Sequence, residues 1–334
     1  MLLTEVEDAR SGNHPVSDTA ARRAALLELL RSLEQHDYEF VTPTPGTHTR
    51  IVSRPNRQEA RALRDVLGWS LPFRREVVPD DVLQLLQTAG CVNELEDGRL
   101  KATVRVSSVR DTLFLHSAFP TIATDSVFLG PDSYRFADFI IAQMGSVPTN
   151  SRILDYGAGA GVGGITAARR ADAPELTLAD INPKALFLSS VNAEHAHVRH
   201  KTTEAHTPAD VDGDFDLIVT HPPFMMDSSG RAYRDGGELY GGRLSLDWTL
   251  ASIEKLRPNG KLILHTGISI VDGRDLFNEH LLEAVGGRGH RIEYRELDPD
   301  IFSEDLDEPA YRDVERIAAV GLSITRTGSD LAER

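Results

Sequence analysis

The stretch Ile153-Leu154-Asp155-Tyr156-Gly157-Ala158-Gly159-Ala160-Gly161 decides the fold. A short apolar strand runs into a carboxylate and then into glycines spaced by two. Glycine has no Cβ and tolerates positive φ, so the chain can turn sharply after the strand and bring backbone N–H groups against a small molecule. The segments downstream alternate as an α/β fold requires. Strands are expected at 152–156, 176–180, 200–205, 215–220, 261–266, 290–296 and 316–325, and helices from about 162 and at 183–196, 245–256 and 274–284. Apolar strands separated by helix-length segments make a mostly parallel, Rossmann-like sheet with helices on both faces. Only the acidic stretch 298–313 separates the last two strands, so an antiparallel edge strand is expected.

The glycine loop has two readings. Asp155-x-Gly157-x-Gly159-x-Gly161 is the acidic-plus-glycine pattern of S-adenosylmethionine (SAM) sites, whereas Gly159-Ala-Gly161-Val-Gly163-Gly164 also satisfies the dinucleotide pattern G-x-G-x-x-G. A pyrophosphate loop wants its first glycine at the strand end and no carboxylate aimed at the phosphates. Here the strand ends in Asp155, whose charge suits the ammonium of SAM. A second carboxylate, Asp180, ends the next strand 25 positions later, where it can accept hydrogen bonds from ribose hydroxyls; Ile181 beside it joins the expected cofactor set. Asp180 could instead cap the helix that begins at Pro183, but Asn182 is an equally good cap.

The second informative cluster is His221-Pro222-Pro223-Phe224, at the end of the apolar strand 215–220. Consecutive prolines there fix the chain direction and present carbonyls without competing N–H groups, in the crevice where open α/β sheets bind ligands. Methylating a planar nitrogen requires its lone pair to localise, and carbonyl acceptors for its N–H groups favour that state. An aromatic after the prolines can stack on a planar substrate.

The order Asp155-x-Gly-x-Gly-x-Gly, Asp180, His221-Pro-Pro-Phe224 resembles the class I SAM-dependent methyltransferases of the small-domain kind, relatives of the release-factor glutamine methyltransferases (HemK-like) and of rRNA guanine-N2 and adenine-N6 methyltransferases. The resemblance covers roughly residues 125–325. It implies a seven-strand sheet, SAM over Asp155, Gly157, Gly159 and Gly161, the ribose on Asp180, and an acceptor positioned by Pro222 and Phe224, with His221 and Pro223 completing the catalytic set. The segment Gly130 to Phe136, including Tyr134, corresponds to one that closes over the cofactor in that family. Where the family has Asn, this chain has His221, which accepts only one hydrogen bond when neutral. His221 acting as general base for oxygen or nitrogen methylation therefore stands beside amine positioning. Between 225 and 247, the aromatics Tyr233 and Tyr240, with Trp248 just beyond, lie among paired glycines and read as a substrate lid or a packed surface excursion.

Upstream, Leu26, Leu29, Leu30 and Leu33 share a helix face that Ser17 or Asp18 can cap. Pro43, Pro45 and Gly46 break the next segment, and further helices are expected around Ala60–Leu67 and after Pro79. Leu100 to Val106 alternates as a strand with Lys101, Thr103 and Arg105 on its polar face, and Leu113–His116 can pair with it. Three helices and a ribbon resemble a winged-helix module, which is often a nucleic-acid reader; with a net charge of −2 over 1–120 the region reads rather as a docking or lid domain. Residues 121–150 form a connector with a helix, and 151–334 the SAM-binding catalytic domain.

The chain's formal charge is −15, of which residues 121–334 carry −13. That field favours a small-molecule or protein acceptor and disfavours nucleic acid, but local basic patches can survive inside an acidic total, so an rRNA or tRNA base stands as the alternative acceptor. The one cysteine, Cys91, permits neither an intrachain disulfide nor a thiolate cage, and with no signal-like start or long apolar run the expectation is a cytoplasmic protein with no membrane partner. No metal is expected, since His195-x-His197-x-x-His200 lacks a carboxylate at ligand spacing and reads as a solvated helix end. Two other classes stay open: an NAD-linked oxidoreductase and a non-catalytic SAM-binding module. The oligomeric state is not legible.

Overall fold

The computed structural model describes residues 19–227, 234–287 and 289–327. The N-terminal region comprises α1 (Thr19–Gln35), α2 (Pro45–Val52), α3 (Leu63–Leu67), α4 (Asp80–Thr88), β1 (Val92–Glu94), β2 (Leu100–Ala102), β3 (Val104–Val109) and β4 (Thr112–Ser117). The connector carries α5 (Pro131–Gln143). The remaining elements are β5 (Arg152–Tyr156), α6 (Val162–Ala168), β6 (Glu175–Asp180), α7 (Pro183–His195), β7 (His200–Glu204), β8 (Phe215–Thr220), α8 (Arg243–Glu254), β9 (Leu256–Val271), β10 (Arg274–Asp275), α9 (Leu276–Val285), β11 (His290–Asp298) and β12 (Arg316–Arg326).

The main sheet has the order β11-β12-β9-β8-β5-β6-β7, with β10 pairing back on β9. Strands β5 to β9 pair in parallel. The antiparallel strand is β12, and it lies one place in from the edge, between β9 and β11. The order reverses at β5, whose neighbours are β6 and β8. At such a switch point the connections leave in opposite directions and a crevice opens beyond the strand ends. The core strands bury Ile153, Leu154, Leu217 and Ile218 completely.

The N-terminal region departs from its sequence pattern in three ways. Pro45 starts a helix rather than breaking one: it occupies the first turn, where its missing N–H costs nothing, and Thr44 caps it by accepting from Thr47 N–H at 3.2 Å. The run Leu100–Val106 is split, with β2 pairing with β1 and β3 pairing with β4. Arg105, expected on an exposed polar face, is 4% exposed. The cause is the strip 38–42 laid along β3, where Tyr38 donates to the Val106 carbonyl (2.9 Å) and the Thr42 and Ser107 hydroxyls meet at 2.6 Å. Burial lowers the Arg105 guanidinium to about 10. Helix α1 buries Leu26, Leu29, Leu30 and Leu33 as expected; Ser17 and Asp18 lie outside the described residues.

Asn192 on α7, wholly buried, clamps this region to the glycine loop. Its amide accepts from Leu115 N–H (2.9 Å) and donates to the carbonyls of Leu115 (3.0 Å) and Ala160 (2.9 Å). His195, expected in solvent, is also buried and meets Glu34 of α1 at 3.1 Å, because α1 packs along α7. His200 is held by Ser190 (2.8 Å) and the Val198 carbonyl (2.9 Å).

Candidate active site

The C-terminal ends of β5, β6 and β8 open onto one cavity of ≈ 350 Å³, within the roughly 300–1,000 Å³ range of small-molecule sites. Asp155, Gly157 and Gly159 line it from the first strand end, Asp180 and Ile181 from the second, and His221, Pro222, Pro223 and Phe224 from the third; Trp248 of α8 joins them. Three other sequence candidates stand elsewhere. Gly161 caps α6 at φ +82° and is not a lining residue. Tyr134 turns its hydroxyl to the N-terminal region, where it accepts from Thr42 N–H at 2.9 Å. Tyr240 is not a lining residue either, and its carbonyl accepts from the Ser269 hydroxyl (3.0 Å). Tyr233 lies outside the described residues.

On one side of the cavity two buried carboxylates organise the loop. Asp155 accepts from Gly164 N–H at 2.7 Å, and burial pushes its carboxyl up to about 8. Asp180 accepts from Gly159 N–H and Asn182 N–H, both at 2.9 Å, which ties the glycine loop to the end of β6; burial also raises this carboxyl. Asn182 caps α7 by accepting from Lys184 N–H (3.0 Å), leaving Asp180 free of that task. Ile181 is 47% exposed, an apolar shelf at the cavity. Gly157 has φ +69°, and a Cβ there would lie 2.6 Å from Trp248 Cζ3, so both backbone and packing demand glycine. Trp248 in turn meets Tyr156 edge-on at 4.5 Å.

On the other side His221 has a defined tautomer. Its Nδ1 lies 2.8 Å from the His265 carbonyl, and a carbonyl only accepts, so the proton sits on Nδ1. The Nδ1 of His265 is 3.3 Å from the same nitrogen. The lone pair of His221 is therefore on Nε2, on the ring edge turned away from His265. Burial lowers the His221 imidazole below its ordinary value, while Asp132 and the His265 carbonyl pull the other way. The ring is neutral near pH 7 and offers one acceptor, beside two prolines that have carbonyls and no N–H. Phe224 packs on Gly267 and stands 5.7 Å from His221.

Residues 136–234 match the methyltransferase small domain family. The cofactor this domain implies is SAM, and the cavity fits it: Ile181 offers an apolar face, Asp180 a ribose acceptor, and Asp155 a buried carboxyl whose ionised form a nearby ammonium would favour. A ribosomal RNA small subunit methyltransferase C of Pasteurella multocida is 34% identical over 110 residues, 33% of this chain and 32% of that one. A release factor glutamine methyltransferase of Koribacter versatilis is 28% identical over 138 residues, 36% of this chain and 48% of that one. The chain thus spans less than half the length of either relative. Trm5b from Pyrococcus abyssi superposes with a TM-score of 0.48 at 12% identity, over 75% of this chain and 72% of that chain.

The first of these relatives overturns the disfavouring of nucleic acid that was drawn from net charge, since a third of the chain is 34% identical to an enzyme named for ribosomal RNA. The physical reason is range. Salt screens charges beyond roughly 8–10 Å, so phosphates meet the local surface and not the total.

Several residues at the cavity were not singled out from the sequence. Asp132 at the start of α5 is 1% exposed and pairs with Arg135 at 3.1 Å; Arg135 also holds Asp298 at 2.7 Å. Phe302, from the acidic connector, takes φ +54° and stands 6.0 Å from Phe224. Arg234 pairs with Asp305 of that connector, and Pro45 arrives from α2. Asp132 had a cue in the Gly130-Pro131 helix start, and Arg234 lies in the segment 225–247 read as a lid; Phe302 and Pro45 come from segments distant in sequence. No helix among the described residues is long and apolar enough to cross a membrane.

Proposed function

We propose that the chain transfers a methyl group from SAM to a nitrogen of an RNA base. The observation that carries the nitrogen assignment is the His221 Nδ1–H bond to the His265 carbonyl, which leaves Nε2 as an acceptor facing away from the strand. An amine entering beside His221 has one N–H taken by Nε2 and another by a proline carbonyl, the pair of acceptors that favours a localised lone pair. When bound, SAM supplies an electrophilic methyl group. Phe224 and Phe302, 6.0 Å apart, offer aromatic surface to a flat acceptor. A general-base role at neutral pH suits an imidazole with its pKa near 7, and burial moves His221 away from that value. The RNA assignment draws on the relative named for ribosomal RNA.

The test is transfer from methyl-labelled SAM into a cell extract, then nuclease, protease and size separation. Label released by ribonuclease and recovered as an N-methylated nucleoside is the expected result. Label in protein or in small solutes refutes the RNA assignment, and a labelled O-methyl group refutes the role given to His221.

A further inference from the structure

Seven arginines fall between positions 50 and 75, opposed only by Glu59 and Asp65, so this stretch is strongly basic within a chain of formal charge −15. The run covers α2, α3 and their connection. Arg57 pairs with Asp65 at 3.4 Å and Arg74 with Glu59 at 2.9 Å. Arg50, Arg54, Arg61, Arg64 and Arg75 are exposed, and none pairs with a carboxylate among the described residues. Like charges crowded in this way repel one another.

Two of the guanidinium groups are placed over aromatic rings. Arg57 stands 5.5 Å from the Trp69 ring and Arg64 5.7 Å from Phe40, while the two rings meet edge to face at 5.4 Å. Stacking holds these long side chains in place and leaves their edges to donate outward. The surface begins at the cavity. Pro45, the first residue of α2, lines it, and Arg50 lies on the same helix about 8 Å further along.

We infer that this arginine face takes the sugar–phosphate backbone of the RNA whose base enters the cavity, an inference that rests on the function proposed above. Phosphates within a Debye length of the face meet its positive charge, and the acidic excess elsewhere is screened from them. Arginine suits the role because its planar fork matches phosphate oxygens bidentately. The N-terminal region thereby holds the strand while the sheet edge holds the base.

The experiment measures anisotropy of a fluorescein-labelled 30-nucleotide RNA stem–loop against the full chain from 50 to 200 mM NaCl. It compares the wild type, the triple variant Arg50→Gln/Arg54→Gln/Arg61→Gln, and a charge-matched control, Arg199→Gln/Arg291→Gln/Arg295→Gln. Each lost phosphate contact removes roughly 0.7–0.9 from the slope of log K on log salt, so the triple variant is expected to be shallower by about 2 and at least about tenfold weaker near 100 mM. The control keeps the wild-type slope, and the thermal shift produced by S-adenosylhomocysteine stays unchanged in all three. An unchanged slope in the triple variant, an equal loss in the control, or no RNA binding by the wild type overturns the inference. Methyl label entering RNA while the triple variant keeps its slope sinks the arginine face alone. Arginine-dependent RNA binding with label going only to protein or small solutes supports the face as an RNA-binding surface and sinks the proposed acceptor.

Discussion

Gly267 on β9 offers a way to displace the acceptor-side aromatic without touching the cavity's polar groups. A Cβ built on Gly267 lies 2.3 Å from both Cδ2 and Cε2 of Phe224, about 1.2 Å short of the ~3.5 Å at which carbon atoms first touch comfortably. Gly267 is paired with Ala319 of β12, and three residues earlier Leu264 is also held by Thr220 of β8, so the backbone is anchored beside the substitution and the ring gives way. In Gly267→Ala the ring therefore shifts by about 1 Å toward the cavity. A misplacement of that size costs up to ~10²-fold in rate when it affects a positioning group. The expected result is a fall in kcat/KM of about 10- to 100-fold, or about 1.4–2.7 kcal/mol of transition-state stabilisation. The assay is transfer from methyl-labelled SAM into the ribonuclease-sensitive fraction, beside a thermal shift with S-adenosylhomocysteine. Cofactor binding should be retained, because the glycine loop and Asp180 lie on the other side of β8. Unimpaired turnover, or equal loss of cofactor binding, would refute the placement of Phe224 against the acceptor.

Other substitutions probe the remaining links. His221→Asn exchanges one acceptor for another and should keep turnover within about tenfold, whereas His221→Phe, which has no acceptor, should lose about 10²-fold or more; a dead Asn variant argues for a base instead. Asn192→Ala leaves buried backbone groups of Leu115 and Ala160 without partners and should lower unfolding stability in urea by about 2–4 kcal/mol, with wild-type stability as the refuting outcome. Stability should also vary with pH. The imidazoles of His48 (about 4), His116 and His265 are depressed by burial, so the stability they contribute is complete above the unfolded value of about 6.5 and is lost as pH falls through their folded values, at up to about 1.4 kcal/mol per unit for each. Asp155, raised to about 8, has the opposite sign: its contribution is complete below about 4 and is lost as pH rises through 8. Urea unfolding from pH 4.5 to 8.5 should therefore peak between about 6 and 7, and a monotonic profile would contradict these burials.

The sequence by itself determined the alternating architecture and the chemistry-bearing strand ends. Strand and helix periodicity, the loop 155–161, Asp180 and His221–Phe224 are all local signals, because a strand that ends in glycine or proline fixes its own backbone without help from distant residues. The cavity therefore gathered Asp155, Gly157, Gly159, Asp180, Ile181 and the four residues 221–224 as read. Features that depend on one segment lying against another were decided only by the tertiary structure. Arg105 looked like an outward residue until the strip 38–42 covered it, and His195 looked solvated until α1 lay beside it. Phe302 and Pro45 reach the cavity from elements that share no sequence pattern with it. The tautomer of His221 rests on the carbonyl of a residue 44 positions away. Side-chain chemistry is written locally, but burial, protonation and pairing belong to whatever the fold brings alongside.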